Sequence, residues 1–224
     1  MWTPPLNQSR SSKAGGFVTK PYKLPKRAAE AMFALKKSKF IANITPAATE
    51  DEALAFLRSI REKHREASHN VYAYRIYNGG TCRHSDDGEP SGTAGMPLLD
   101  VFLKQEIYDF CCVATRYYGG IQLGAGGLIR AYGNCGVLAL ETCGVGVMRE
   151  VSICRAAMPY PLFEPVKRLL LDCGAEITAE DFGADVAVQF SICSNELPTV
   201  LSRLTEQTAG KVKAEVERVC MAVG

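Results

Sequence analysis

Arg83 to Asp100 reads RHSDDGEPSGTAGMPLLD, and its side chains could serve several chemistries. His84, Asp86, Asp87 and Glu89, with His69 upstream, supply nitrogen and oxygen donors of the kind that hold a metal. Asp-Asp-Gly is also a natural turn, and Pro90 holds Glu89 extended. Adjacent Asp86 and Asp87 diverge along an extended segment, which hinders joint ligation, so no metal is expected. Ser91 has no G-x-S-x-G frame and the chain has only three histidines to act as a base, so nucleophilic catalysis is poorly served. A turn entering a helix needs no unusual chemistry. In that reading Thr93 accepts an orphan amide, Pro97 fits the first turn, and Leu98, Leu99, Phe102 and Leu103 form the buried face. The loop of Ser85, Asp86, Asp87, Gly88, Glu89, Pro90, Ser91, Gly92 and Thr93 is then expected to offer an acidic tip to a partner.

A second string, RYYGGIQLGAGGLIRAYG, spans Arg116 to Gly133 between an apolar run and a helical pattern. Unpaired backbone amides near Gly124 to Gly127 would form an anion cradle there. The string is not a nucleotide motif: Ala125 and Gly126 stand where a P-loop needs Lys and Ser or Thr, and Ile129 stands where G-x-G-x-x-G needs its third glycine. Close packing is the competing role for these glycines. Arg116 and Arg130 flank the string, and Tyr117 and Tyr118 supply rings on which bases could stack. The expected anion or nucleic-acid site is therefore Arg116, Tyr117, Tyr118, Gly119, Gly120, Gly124, Gly126, Gly127 and Arg130.

The surrounding pattern says what must position these loops. FIANITP reads as a strand, and TEDEALAFLRSIREKHREA places Ala53, Leu54, Leu57 and Ile60 on one helical face. HNVYAYRIY alternates as a strand, a short helix covers about Pro97 to Lys104, and FCCVAT reads as a strand buried on both faces. A helix over about Gly124 to Thr142 keeps Leu128, Tyr132, Cys135 and Ala139 on one side. From Val151 the order becomes strand, helix, two strands, helix, strand, which is the ferredoxin-like βαββαβ plait. The predicted organisation is a flexible basic arm over 1–25, a first domain over 26–146 and the plait over 150–224, with a boundary near Gly144 to Glu150.

Composition narrows the class. An apolar fraction of 47% and a charged fraction of 22% exclude wholesale disorder. Residues 1–40 hold nine Lys or Arg against the single Glu30, so the rest of the chain is net acidic although the whole carries +2. Such a basic end suits phosphate, an acidic partner or plain solvation. MWTPPLNQSRSSKAGGF lacks the apolar core of a secretory signal, and the longest charge-free run, Tyr117 to Ile129, is far below the roughly 20 residues of a spanning helix. A soluble, cytoplasmic protein with no membrane partner is expected. Nine cysteines without C-x-x-C spacing read as reduced thiols acting as small hydrophobes.

HNVYAYRI, SDDGEPSGTAGMPLL and TRYYGGIQLGAGGLIRAYG, in this order, resemble the signature strings of the IMPACT family and its bacterial YigZ branch. The resemblance covers about Ala29 to the C-terminus. It implies an α+β fold: an N-terminal domain like elongation factor G domain IV, with helices on one sheet face and a left-handed βαβ crossover, and a C-terminal ferredoxin-like domain. It also implies a role in regulating translation. The chain has no room for the extra N-terminal domain of eukaryotic members, so their kinase-directed role is not carried over. His84 lies outside the shared strings. The expected function is a non-catalytic RNA- or ribosome-binding protein that modulates translation without a cofactor. A hydrolase or phosphate-binding enzyme built on SDDGEP, and a module contacting a protein partner in translation control, are the alternatives.

Overall fold

A computed structural model describes residues 20–223. In chain order the elements are β1 (Tyr22–Pro25), β2 (Ala29–Leu35), β3 (Ser38–Pro46), α1 (Glu50–Lys63), β4 (His69–Arg75), β5 (Cys82–Ser85), α2 (Gly95–Lys104), β6 (Phe110–Tyr117) and α3 (Ala125–Cys143). They continue with β7 (Val145–Met158), α4 (Tyr160–Asp172), β8 (Glu176–Phe182), β9 (Val186–Cys193), α5 (Leu197–Thr208) and β10 (Ala214–Val223).

The first sheet is antiparallel throughout, in the order β2-β3-β6-β4-β5. Its central strand β6 explains the unbroken apolar run. Cys112 and Ala114 face one core with α2 and α3, while Cys111 and Val113 face another with Ala53, Leu57 and Ile60 of α1. Helices therefore cover both faces, which corrects the one-faced arrangement that the family resemblance implied. Thr49 starts α1 by accepting the Glu52 amide at 3.2 Å, and the Glu52 carboxylate returns to the Ala48 amide at 2.7 Å. Helices α2 and α3 approach closely because position 136 lacks a side chain; a Cβ there would lie 3.0 Å from the Val101 methyl.

The second sheet runs β10-β7-β9-β8, with α4 and α5 packed over Cys154, Met158, Val188 and Phe190. This order and the antiparallel pairing are those of the ferredoxin-like plait. Two expectations need correction here. Tyr22 to Pro25, assigned to a flexible arm, form β1 and pair with Val145 to Met148 of the second sheet; residues 1–19 of that arm lie outside the described residues. The expected boundary segment is the first half of β7, which follows α3 after Gly144 alone.

Strand β1 also fastens the two sheets together. The Tyr22 ring stacks on Tyr77 at 3.9 Å, its hydroxyl donates to Asp109 at 2.6 Å, and the Tyr108 amide donates to the Lys23 carbonyl at 2.8 Å. Burial, then the neighbouring Asp109 carboxylate, hold the Tyr22 phenol well above its ordinary pKa.

Candidate functional site

The two sequence motifs, read separately above, meet at one buried carboxylate. Glu89 accepts from the Arg116 guanidinium at 2.6 Å and from the Tyr132 hydroxyl at 2.7 Å. Arg116 is 4% exposed; it also donates to Ser38 at 3.4 Å and lies 5.5 Å from the Phe40 ring and 5.3 Å from the Tyr118 ring. Its Nε has no hydrogen-bond partner among the described residues. Arg116 therefore serves the interior as a paired cation, which corrects the expectation that it presents charge to a phosphate. Burial and the Glu89 carboxylate both push the Tyr132 phenol far above its usual range.

The acidic loop is likewise turned inward. Asp86 accepts from the amides of Gly92, Ala94 and Gly95 at 2.9, 3.0 and 2.8 Å, so it caps α2 from eight or nine residues upstream. Thr93, the expected cap, instead donates to the Pro90 carbonyl at 2.6 Å. Asp87 accepts from the Asn70 amide and from Arg61, each at 2.7 Å. The His69 Nδ1–H donates to the Asp87 carbonyl at 2.8 Å, which fixes the tautomer and leaves Nε2 facing Glu89 at 3.8 Å. Ser85 accepts the Asp87 amide at 3.1 Å. Only Gly88, Pro90, Ser91 and Gly92 of this loop are exposed. The expected acidic tip is thus corrected: its carboxylates accept from the protein's own amides and pair with its own guanidiniums.

A pH dependence follows from Asp86. Burial raises its pKa, but the three amide bonds and nearby His84 together outweigh burial and hold it below the ordinary value of 3.8. A depressed carboxyl contributes stability that is present above the unfolded pKa and is lost as pH falls through the folded one. Asp86→Ala should cost about 1–3 kcal/mol at neutral pH. The deficit relative to wild type should shrink as the pH falls below the ordinary 3.8 and through the lower folded-state value. Urea titrations across pH 2–7 check this, and a constant deficit would contradict it.

The glycine-rich loop lies differently. Tyr118, Gly120, Gly124, Gly126 and Arg130 are exposed, Gly119 and Gly127 half-buried. Gly124, with φ +71°, starts α3 without a side-chain cap; residues 124–126 are exposed, and the first turn has no acidic residue. Tyr117 is committed sideways, sharing a hydrogen bond of 3.0 Å with His64. Burial and the Lys63 charge hold that histidine below its usual pKa.

Sequence reasoning did not place the β2–β3 hairpin against this loop. The β2–β3 hairpin turns at Lys36 and Lys37, with φ of 45° and 65°, and seats its backbone on Gly119. A Cβ at position 119 would stand 2.1 Å from both the carbonyl carbon and oxygen of Lys37. Ser38 bonds this contact by accepting the Gly119 amide at 3.2 Å. The exposed Lys36, Lys37 and Lys39 are thereby brought to the end of the molecule that carries Tyr118 and Gly120. Pairing of Leu35 with Ser38 across two residues was the available signal, since a two-residue KK turn joins the runs AMFAL and SKFIANI. Also unanticipated were Ser38, Tyr132 and the buried Asn70–Thr115 bond of 2.8 Å. No group of three potential metal ligands occurs among the described residues, and no described helix is long and apolar enough to cross a membrane. All nine cysteines are free thiols; burial lifts Cys111 and Cys135 to about 12.

Comparison with known proteins follows the same division of the chain. The Impact N-terminal domain matches residues 36–140, and a domain of unknown function, DUF1949, matches residues 157–211. The IMPACT family member YvyE of Bacillus subtilis is 36% identical over 83% of this chain and 86% of its own length. YigZ of Escherichia coli is 29% identical over 80% and 89%. A crystal structure of a hypothetical protein aligns with a TM-score of 0.56 at 27% identity, covering 89% of this chain and 98% of that one. With both domain matches in order and relatives aligned over most of their length, the chain belongs to the IMPACT family.

Proposed function

We propose that this protein binds RNA, in the setting of the ribosome and translation, through the exposed end built by the glycine-rich loop and the lysine hairpin. One observation carries the reading: Gly119, by lacking a side chain, lets the Lys36–Lys37 turn seat its backbone on the glycine-rich loop that leads into α3. Lysines supply non-directional attraction to a phosphate backbone, and helix-start amides supply directed donors. Arg130 adds a cation one turn into the helix, and Tyr118, 48% exposed, offers a ring on which a base can stack. The carboxylates of the neighbouring loop are engaged internally, so they leave this end positive.

The arrangement needs no catalytic step. Replacing Lys36, Lys37, Lys39 and Arg130 together by alanine should weaken binding of single-stranded RNA. It should also flatten the plot of log affinity against log salt by about 0.7 for each phosphate contact removed. Tyr118→Ala should remove about 1–3 kcal/mol of binding without changing that slope. Titration of fluorescent ribosomal RNA fragments at four salt concentrations reads both. An affinity indifferent to the fourfold variant would sink the proposal. Arg116→Ala is unsuited to this test, because it removes a buried charge from the fold.

A further inference from the structure

Strand β10 ends the second sheet: it pairs with β7 on one side, and among the described residues no strand covers its other edge. Exposed strand edges are usually guarded by charge, and the opposite edge of this sheet is, because β8 carries Glu176, Glu180 and Asp181. The β10 edge carries charge only in its first half, at Glu215, Glu217 and Arg218. Val216, Val219 and Val223 are 46%, 50% and 47% exposed, and Val219 to Val223 contain no charge.

The short sequence Val216-Glu217-Arg218-Val219 is self-complementary. A register shift between Val216 and Arg218 changes the parity of the strand. Arg218 stands opposite Ile153, and the Glu217 carboxylate reaches Gln189 of β9 at 2.6 Å, so both charges lie on the face away from α4 and α5. Val216 and Val219 stand opposite Cys154 and Ser152, on the helix side. An antiparallel pair related by a two-fold axis between residues 217 and 218 would therefore place Glu217 opposite Arg218 of the other copy, and Val216 opposite Val219, each pair on a common face. Without the bulge the two residues at such an axis would lie on opposite faces. Glu217 and Arg218 are exposed, and no ion pair engages Arg218 among the described residues.

We propose that β10 is a homodimer edge, on which a second copy of this chain adds its own β10 antiparallel to give one continuous ten-stranded sheet. The buried area of such an edge is small, so the dimer is weak, with a Kd on the order of 10 µM. Favourable cross-strand charge and β-branched pairs supply its specificity.

Sedimentation equilibrium of the full chain from a few to a few hundred micromolar tests it. Wild type should dimerise reversibly; Arg218→Glu, which sets glutamates opposite each other, should weaken association at least tenfold. The double variant Glu217→Arg with Arg218→Glu should restore it. Val219→Lys should also give a monomer, with unchanged circular dichroism and melting temperature showing that the fold is intact. A wild type monomeric throughout, a dimer indifferent to Arg218→Glu, or a charge-swapped variant that stays monomeric would each overturn the proposal.

Discussion

Glu89→Ala is expected to lower the stability of the first sheet and its helices by about 3–5 kcal/mol, because removing one partner of a buried ion pair strands the other. Arg116 is 4% exposed and has no second carboxylate in contact among the described residues, and Tyr132 loses its acceptor at the same time. For a chain of this size the melting temperature should fall by roughly 6–20 °C. Arg116→Met alone should also destabilise. Glu89→Leu combined with Arg116→Met should recover most of the loss, since it removes both charges and leaves apolar volume. Calorimetry of wild type, Glu89→Leu, Arg116→Met and the double variant measures the coupling. Strictly additive losses would mean that the pair does not act as a unit.

Much of this fold was written in periodicity. The apolar faces of α1, α2 and α3 and the order of the plait elements match the expectations from residue spacing, because each buries a stripe whose period is its own signature. Strands β1, β2 and β5 were not legible. Strand β1 is four residues long and exists through long-range pairing with Val145 to Met148, and β2 carries exposed apolar residues such as Met32 at 58%. The site was legible as two motifs and illegible as one place. Nothing in local spacing says that Glu89 and Arg116, 27 positions apart, share a proton donor and acceptor in the interior. Charge was the misleading cue: acidic residues in a glycine-rich loop read as a surface, whereas Asp86 and Glu89 are spent on amides, Tyr132 and Arg116.

Gly119→Ala is expected to be disproportionately harmful for one methyl group. Its Cβ would meet the Lys37 backbone at 2.1 Å and the Ser38 amide nitrogen at 2.6 Å, and neither can rotate away as a side-chain tip would. Overpacking of this kind costs about 1–3 kcal/mol. The larger effect should be functional: the hairpin must lift off the loop, carrying Lys36, Lys37 and Lys39 with it, so RNA affinity should fall more than stability does. Gly120→Ala is the matched control. Position 120 has open space around it but a φ of +83°, so alanine there strains only the local backbone, by about 1–2 kcal/mol, and leaves the hairpin seated. Amide exchange at Lys36 to Ser38 beside RNA titration separates the two. Equal behaviour of both variants would refute the seating role of residue 119.

The small strand at Tyr22 to Pro25 sets a timetable for making the molecule. It leaves the ribosome early, yet its ladder partners, Val145 to Met148, emerge more than a hundred residues later. Until then Tyr22 can dock on Tyr77 and Asp109 but has no strand beside it. Closing β1 onto the sheet thus joins a segment near the start of the chain to one past its middle, and the halves, although each has its own core, are not interchangeable cassettes.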